Sequence, residues 1–308
     1  MTTGGNTEAN VKSTGLPLIE DGRAKVNLTL RVVGRRTDGY HDLESVVAFA
    51  DCADKLTLTP GPELSLQTIG PLANACGDVS DNLILKASRL LGKLVPGLKV
   101  GAFVLDKILP VAAGIGGGSA DAAAALRLLA RLNGLALDDP RLLAVALETG
   151  ADVPVCLASR ACDMTGVGET LLPLSPPVMP SVLVNPRLPV ATKDVFEALG
   201  LRHGELLVGA TDVMESASWP DEGGSLEEWV EALAAGTNDL EAPATKIEPV
   251  IGTVIAALNA TNGAWLARMS GSGATCFAIY ENTAEAGRAA DKLRREHPDW
   301  WVHAGTLS

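Results

Sequence analysis

Four glycines fall within five positions of one segment, at Gly114 and at 116–118, and an alanine-rich run follows them. Ser119 as a capping hydroxyl, Asp121 as an early carboxylate and the Ala/Leu run predict that a helix begins here. An Asn-Gly pair at 133–134 is a plausible end for that helix. A glycine-rich loop that leads into a helix N-terminus exposes backbone N–H groups at the positive end of the helix dipole. This arrangement is suited to binding phosphate.

Two common phosphate-binding motifs and a simple turn are the alternatives for this segment. The Walker loop needs a lysine before its Ser/Thr, but Gly118 precedes Ser119. The dinucleotide fingerprint G-x-G-x-x-G begins with Gly114 and Gly116, yet Ser119 stands where its third glycine is required. A close-packed turn needs fewer glycines than this cluster contains. A phosphate loop of another kind is therefore favoured.

Several other residues could do chemistry, although each also has a structural interpretation. Lys25 begins an alternating apolar and polar segment that predicts a strand. Asp152 follows a predicted helix end beside an apolar run, where a carboxylate either forms a turn or has a function. Tyr40 and His41 follow an Asp-Gly hairpin signal, where aromatic residues pack more often than they act. Asn82 either caps a helix or contacts a ligand.

Three segments resemble the motifs of the GHMP kinases, and they occur in the order and spacing of that superfamily. AKVNLTLRVVGRRTDGYH, from Ala24, is similar to the first motif of the 4-diphosphocytidyl-2-C-methyl-D-erythritol kinases, except that Arg23 stands just before it where a proline is usual. ILPVAAGIGGGSADAA, from Ile108, resembles the central motif. ARMSGSGATCFA, from Ala267, resembles the third motif. The resemblance covers the chain from about residue 22 to its end.

The resemblance implies an ATP-dependent small-molecule kinase with Mg²⁺ as the accompanying ion. The expected reaction moves the γ-phosphoryl group of ATP to the tertiary 2-hydroxyl of 4-diphosphocytidyl-2-C-methyl-D-erythritol (CDP-methylerythritol), in the non-mevalonate route to isoprenoid precursors. Asp152 matches the catalytic aspartate of a Gly-Ala-Asp-Val-Pro sequence, and Lys25 matches the lysine that steadies both this carboxylate and the γ-phosphate. Ser119 is the expected hydroxyl ligand of Mg²⁺, because Ala120 stands where many superfamily members have a second serine.

The remaining site residues are also carried over from the family motifs. The expected ATP-binding residues are Asn82, Pro110, Ala112, Ala113, Gly114, Ile115, Gly116, Gly117, Gly118, Ser119 and Ala120. The expected substrate-binding residues are Asn27, Tyr40, His41, Thr192 and Phe196. Of these, Tyr40 is expected to stack on the cytosine, His41 to hydrogen-bond the base edge, and Phe196 to close the sandwich from the other side.

The implied fold is the α+β, two-domain GHMP kinase fold. Residues 1–21 are expected to form a disordered tail, because they are rich in Thr, Gly, Asn and Glu. Residues 22–178 are expected to form the N-terminal nucleotide-binding domain. Residues 179–308 are expected to form a ferredoxin-like C-terminal domain, since a cluster of prolines before residue 181 marks the best candidate boundary.

Composition limits the partners and the location. A net charge of −12 argues against a nucleic acid or an anionic membrane as partner, because both require a basic surface. Five scattered cysteines without a C-x-x-C pair predict reduced, packed thiols and a cytoplasmic protein. No apolar run approaches the ~20 residues of a membrane span. The expected partners are therefore ATP and the small-molecule substrate, and the oligomeric state is left open.

Three other functions remain as alternatives. A sister kinase of the mevalonate or homoserine type would share the fold, but the Asp-Gly-Tyr-His sequence argues against it. A non-catalytic GHMP-fold ligand sensor would be expected to lack Lys25 or Asp152, and both are present. A nicotinamide oxidoreductase would need an early strand, the complete glycine fingerprint and an acidic residue ~20 positions further on. The chain lacks that ordered set.

Overall fold

The structure is a computed structural model that describes residues 15–207, 219–220 and 222–308. Of the predicted disordered tail, residues 1–14 lie outside the described residues. Within the described part, the first strand begins at Leu18, so the predicted end of the tail at residue 21 is wrong by at least four residues. The reason is that residues 18–22 pair with the far end of a long strand, where Leu18 lies opposite Leu58.

One long strand organises the N-terminal half of the molecule. The strands of this half are β1 (Leu18–Asn27), β2 (Arg31–Arg35), β3 (His41–Gly61), β4 (Ser65–Ile69), β5 (Val100–Asp106), β6 (Cys162–Gly166) and β7 (Thr170–Pro173). β3 has 21 residues and pairs antiparallel with β1, β2, β5 and β6. The β2–β3 pairing confirms the hairpin predicted from Asp38-Gly39.

Helices cover one face of this sheet. They are α1 (Leu83–Leu94), α2 (Gly117–Asn133), α3 (Pro140–Thr149) and α4 (Val153–Ala158). α2 lies among the others and buries residues on nearly all of its sides, which explains its small alanine side chains: helices and strands can approach it closely. Gly134 follows α2 in the left-handed conformation, as the predicted helix end requires.

The C-terminal half has the ferredoxin-like topology. Its strands are β8 (Met179–Asn185), β9 (Ala264–Met269), β10 (Cys276–Tyr280) and β11 (Trp301–Leu307), hydrogen-bonded in the order β11-β8-β10-β9 with all neighbours antiparallel. The helices are α5 (Thr192–Leu199), α6 (Leu226–Ala235), α7 (Glu241–Ile247), α8 (Val250–Asn259) and α9 (Thr283–Glu296). This order of strands and helices is the βαββαβ arrangement with a helical insertion. The α+β fold predicted from the sequence is confirmed.

The two sheets meet at a short junction between β3 and β11. Leu307 pairs with Ala50 there, and Phe49 and Ser308 exchange two backbone hydrogen bonds of 2.9 and 3.0 Å. The predicted domain boundary at residues 178 and 179 falls where β8 begins, and it stays a prediction. Among the helices that the structure describes, none is long and apolar enough to cross a membrane.

Candidate active site

A cavity of about 470 Å³ brings together residues from both halves of the chain. Most of the predicted site residues line it. They are Lys25, Asn27, Ala112, Ala113, Gly114, Gly116, Gly117, Gly118, Ser119, Asp152, Thr192 and Phe196. Among the lining residues in the described ranges, Lys25 is the only basic side chain.

A larger cavity of about 780 Å³ is lined by other residues, including Glu44, Asp163 and Trp219. Neither Lys25, Asp152 nor any residue of the glycine-rich loop lines it. Size alone does not identify a phosphoryl-transfer site, because that reaction needs phosphate-binding donors beside an acid–base group. The smaller cavity is therefore the candidate active site.

The remaining predicted residues do not line the cavity. Pro110, Ile115 and Ala120 have buried side chains, so only their main-chain atoms could reach a nucleotide. Asn82 is the N-cap of α1, and its side-chain oxygen accepts a hydrogen bond of 2.9 Å from the N–H of Ile84. The capping interpretation is thus confirmed, and a nucleotide contact of Asn82 stays a prediction.

The carbonyl groups of the glycine-rich loop are held by the protein. The O atoms of Ala113 and Ile115 accept hydrogen bonds of 3.0 Å from the N–H groups of Thr275 and Lys25. The Ser270 hydroxyl donates to the O of Gly114 at 3.0 Å. Within the described part of the chain, the N–H groups of residues 112–116 donate no hydrogen bond, and those that begin α2 have no intrahelical acceptor. The loop therefore presents donors for an anion.

The helix after the loop begins earlier than the sequence predicts. Gly116 is the N-cap residue of α2, in a left-handed conformation with φ of 63°, and no side-chain cap is present. The prediction that Ser119 caps the helix is wrong, because Ser119 already lies in the first turn and its half-buried side chain lines the cavity. A side chain at Gly116 would lie 3.4 Å from the Cβ of Lys25, so this position must be small.

Lys25 and Asp152 form an ion pair beside the loop. The Nζ of Lys25 donates to Oδ1 of Asp152 at 2.8 Å, across 127 positions of sequence. β1 holds Lys25 where the strand register shifts between Arg23 and Lys25, and Asp152 immediately precedes α4. The Lys25 side chain is 4% exposed and that of Asp152 is 38% exposed. The cation is thus fixed in the wall while the carboxylate faces the cavity.

Asn27 offers an acceptor in the cavity wall. Its Nδ2 donates to the Ser45 hydroxyl at 2.7 Å, and its main-chain N–H donates to the Ser270 hydroxyl at 3.0 Å. Its buried Oδ1 has no hydrogen-bond partner among the described residues. A buried carbonyl oxygen without a donor destabilises the protein, and a ligand hydroxyl or amino group could satisfy it.

The aromatic residues are arranged differently from the expected sandwich. The rings of His41 and Phe196 stack directly, with centroids 4.3 Å apart and planes 23° apart. His41 thus covers one face of the Phe196 ring, so a base would stack on the opposite face. The sandwich of the base between Tyr40 and Phe196 stays a prediction. The side chain of Tyr40 is exposed.

His41 is held in the neutral form. Burial lowers the pKa of His41, and the nearby positive charge of Arg35 and the ring of His203 lower this pKa further. The Nε2 of His41 is buried and has no hydrogen-bond partner within the described ranges. The ring therefore packs against Phe196 with one buried nitrogen that has no partner, and His41 is not among the residues that line the cavity.

Sequence reasoning missed the serines of the third motif. Ser272 lines the cavity, and its hydroxyl lies 2.9 Å from the hydroxyl of Thr192, the first residue of α5. Ser270 bridges the loop and β1, as described above. The resemblance of this segment to the third GHMP motif is the signal in the sequence that points to these serines.

The described residues contain no cluster of three His, Cys, Asp or Glu side chains placed to hold a metal ion. Ser119 and Asp152 both line the cavity and carry oxygen atoms that could ligate a metal ion. Mg²⁺ is usually bound by one or two carboxylates together with substrate phosphates rather than by an all-protein cage. The donor set therefore fits an ion that arrives with a nucleotide.

Comparison with known sequences gives a consistent family. The profile of the GHMP kinases N terminal domain matches residues 82–160, and that of the GHMP kinases C terminal domain matches residues 222–299. A 4-diphosphocytidyl-2-C-methyl-D-erythritol kinase of Bradyrhizobium diazoefficiens is 75% identical over 94% of this chain and 98% of its own length. One of Rhodopseudomonas palustris is 69% identical over 96% of this chain and 99% of its own length.

Comparison with solved structures agrees. A crystal structure of 4-(cytidine 5'-diphospho)-2C-methyl-D-erythritol kinase matches with a TM-score of 0.70 and 34% identity, over 94% of this chain and 99% of that one. A homoserine kinase of Cytophaga hutchinsonii matches with a TM-score of 0.68 over 96% of each chain, but at 18% identity. The second likeness concerns the fold alone.

Proposed function

This chain belongs to the 4-diphosphocytidyl-2-C-methyl-D-erythritol kinases within the GHMP kinases, and on that basis we propose that it phosphorylates CDP-methylerythritol. The transferred group is the γ-phosphoryl group of ATP, and the acceptor is the tertiary 2-hydroxyl. The observation that carries the proposal is the Lys25–Asp152 pair at 2.8 Å beside a loop of available amides.

The loop supplies most of the ATP-binding interactions. Phosphoryl transfer asks the protein mainly for positioning and for stabilisation of negative charge. The amides of residues 114–119 lie at the start of α2, where the helix dipole also favours an anion. Because the protein as a whole is acidic, this local concentration of donors is what allows a polyphosphate to bind. Asn82 and the main chain of Pro110 and Ala120 complete the nucleotide site.

Asp152 and Lys25 act on the acceptor hydroxyl. Asp152 orients the hydroxyl and accepts its proton as the hydroxyl oxygen attacks the γ-phosphorus. The bond between the γ-phosphorus and the bridging oxygen of ATP breaks, and ADP leaves. Lys25 holds this carboxylate in place and offsets negative charge on the γ-phosphate. A buried cation with a fixed partner needs little rearrangement during the reaction, which favours the transition state.

Mg²⁺ fits the site as the ion that accompanies ATP. The hydroxyl of Ser119, which lines the cavity, would hold it together with the phosphates of ATP. When bound, the ion neutralises phosphate charge during transfer. The protein residues keep the roles given above.

The cytidine end of the substrate is read by the residues near β2 and α5. His41 hydrogen-bonds the base edge through its unpartnered Nε2, which is buried against Phe196 here and must become exposed when the substrate binds. Phe196, which lines the cavity, stacks on the base with the ring face that His41 does not cover. Tyr40, exposed at the hairpin, closes over the base when the substrate binds. Asn27 and Thr192 contact the polar groups between the base and the acceptor hydroxyl. We place this reaction in the cytoplasm, which suits the five free cysteines.

A coupled assay of ADP release, with and without CDP-methylerythritol, tests the proposal. We expect ADP release that depends on CDP-methylerythritol and that is lost in Asp152→Asn. Mevalonate and homoserine serve as comparison acceptors, because other GHMP kinases share the fold. Turnover of either of these in preference to CDP-methylerythritol would refute the substrate. Binding of CDP-methylerythritol without any ADP release would instead indicate a ligand sensor.

A further inference from the structure

We propose that Asp54, Lys107 and Asp121 form a buried network that positions both ends of the glycine-rich loop for ATP. They are positioning residues, since none of them lines the candidate active site. The proposal rests on the proposed function only in taking ATP as the ligand of the loop. The three side chains come from β3, from the residue that follows β5, and from α2.

Asp54 fixes the segment that enters the loop. Its Oδ1 accepts hydrogen bonds from the N–H groups of Ile108 and Leu109, at 2.7 and 2.9 Å. Its Oδ2 accepts a hydrogen bond of 2.5 Å from the Nζ of Lys107. One buried carboxylate therefore holds the chain just before Pro110 to β3, the strand that organises this half of the molecule.

Lys107 and Asp121 fix the helix that leaves the loop. The Nζ of Lys107 also donates to Oδ2 of Asp121 at 2.8 Å, and Asp121 lies in α2 just after its first turn. Gly117, the first residue of α2, lies directly over the network: a Cβ there would be 3.2 Å from the Nζ of Lys107. Both ends of the loop are therefore held to the same ammonium group.

The burial of this network calls for an explanation. The side chains of Asp54, Lys107 and Asp121 are at most 4% exposed. Burying charged groups carries a large desolvation cost, and well-packed apolar residues often stabilise a fold as well or better. A charged network does offer directional hydrogen bonds, which apolar packing does not. Fixed direction matters where the amides of a loop must meet phosphate oxygens.

The network has one more carboxylate than it has cations. Burial raises the pKa of Asp121 to about 7, although the ammonium of Lys107 opposes that rise. Its Oδ1 has no hydrogen-bond partner within the described chain, and a Cβ on Gly22 would lie 2.9 Å from it. When Asp121 is neutral, the positive charge of Lys107 and the negative charge of Asp54 cancel. Asparagine at position 121 closely imitates such a neutral side chain.

The test uses variants that break the network at one end only. Asp121→Leu and Asp121→Ala remove the link to α2 and leave the Lys107–Asp54 pair intact. A small displacement of positioning groups lowers binding and rate steeply, so we expect the Kd and KM for ATP to rise ~10-fold or more. The KM for CDP-methylerythritol should stay within twofold. A general loss of folded protein would lower kcat without separating these two KM values.

Two further variants serve as controls. Asp121→Asn keeps an oxygen acceptor for Lys107, so its ATP affinity should lie near that of the unchanged protein. Arg127→Met removes four other hydrogen bonds between α2 and its neighbours, from Arg127 to Glu20, Cys156, Leu157 and Asp21 at 2.7–3.4 Å. It should lower the free energy of unfolding while leaving the KM for ATP within twofold.

Titration of ATP by calorimetry, without the second substrate, gives the deciding measurement. Equal ATP affinity in the unchanged protein and in both truncating variants would overturn the proposal. The proposal would also be overturned if Arg127→Met or Asp121→Asn lost as much ATP affinity as the truncating variants. A failure of both truncating variants to fold would overturn it as well. If the unchanged protein binds ATP but does not phosphorylate CDP-methylerythritol, the proposed function fails and this inference stands.

Discussion

Asp152 and Lys25 are unequal partners. Lys25 is anchored in β1 with its ammonium buried in the wall, whereas a good part of the Asp152 carboxylate faces the cavity. A residue that exchanges a proton with a substrate must be accessible to that substrate. A residue that only holds the proton-exchanging side chain in place can be buried. The difference in exposure supports the proposal that Asp152 does the acid–base work and that Lys25 supplies the supporting charge.

Asp152→Asn keeps the size of the side chain but removes its basicity. We predict that turnover falls by ~10²–10⁴, which is the usual contribution of a positioned base. The Kd for ATP should change less than threefold, because the loop amides are untouched. Asp163→Asn is the matched control, since Asp163 is also a half-buried carboxylate but lines only the larger cavity. An Asp152→Asn enzyme with half of the original turnover would exclude this role.

His41 and Tyr40 bear on the choice of nucleobase. Stacking of a base on an aromatic ring contributes ~1–3 kcal/mol, so Tyr40→Ala should weaken substrate binding by about one to two decades. His41→Ala should also reduce the preference for cytidine over uridine substrates, because a site that hydrogen-bonds a group discriminates strongly against analogues that lack it. The measurement is kcat/KM for both substrates, with His297→Ala as control, because the ring of His297 stacks on Trp300 and does not line the cavity. An unchanged cytidine preference in His41→Ala would show that His41 only packs on Phe196.

Single positions differ in how far the sequence could predict them. The caps at Asn82 and Asp139 follow from local chemistry, and the structure contains both. The Lys25–Asp152 pair joins residues 127 positions apart, so only the resemblance to a family could propose it. Asp121 looked like an ordinary first-turn carboxylate, since nothing local reveals that Lys107 lies behind the helix.

The loop and the third motif form one unit although they are about 150 residues apart. The carbonyl groups of Ala113 and Gly114 are held by Thr275 and Ser270, so the donors of the loop are oriented by a segment of the other half of the chain. Glycine patterning predicts that such segments turn tightly, but it does not predict which segments touch. The length of β3 likewise depends on distant segments, because pairing with β1, β2, β5, β6 and β11 sustains it.

Gly114→Ala tests this unit. Gly114 has φ of +73°, and a Cβ there would lie 2.5 Å from the O of Ser270 and 2.7 Å from the N of Gly273. Both are backbone atoms, so the loop must shift, and we predict at least a tenfold rise in the Kd for ATP. Gly287→Ala in α9 is the control, because a Cβ there meets open space and alanine favours a helix by ~1 kcal/mol. Equal ATP affinity in both variants would show that the contact between the loop and the third motif is not needed for binding.

The cavity depends on how the two sheets are joined, since Lys25 and Asp152 come from one half of the chain and Thr192 and Phe196 from the other. Arg23 reinforces the narrow junction between β3 and β11. Its guanidinium donates to the O atoms of Ala50 and Phe49 at 3.0 and 2.9 Å and to the Ser308 hydroxyl at 3.0 Å. The sequence showed only that Arg23 stands where the family usually has a proline, and packing was its expected role.

Arg23→Met therefore removes three hydrogen bonds at the junction while keeping much of the side-chain volume. The O of Phe49 keeps the hydrogen bond from the N–H of Ser308, so the O of Ala50 is the carbonyl that loses its donor. Leaving a buried carbonyl without a donor costs ~1–3 kcal/mol, so we predict that the free energy of unfolding falls by about 1–3 kcal/mol. We also predict a lower kcat/KM for CDP-methylerythritol, because Thr192 and Phe196 lose their fixed position relative to Asp152. The measurements are urea unfolding and steady-state kinetics. Arg131→Met is the control, since Arg131 is half-exposed and its ion pair with Glu20 lies away from the junction. Equal losses of stability in the two variants would show that Arg23 is an ordinary surface arginine. The backbone pairing of β3 with β11 would then be sufficient to hold the two halves together.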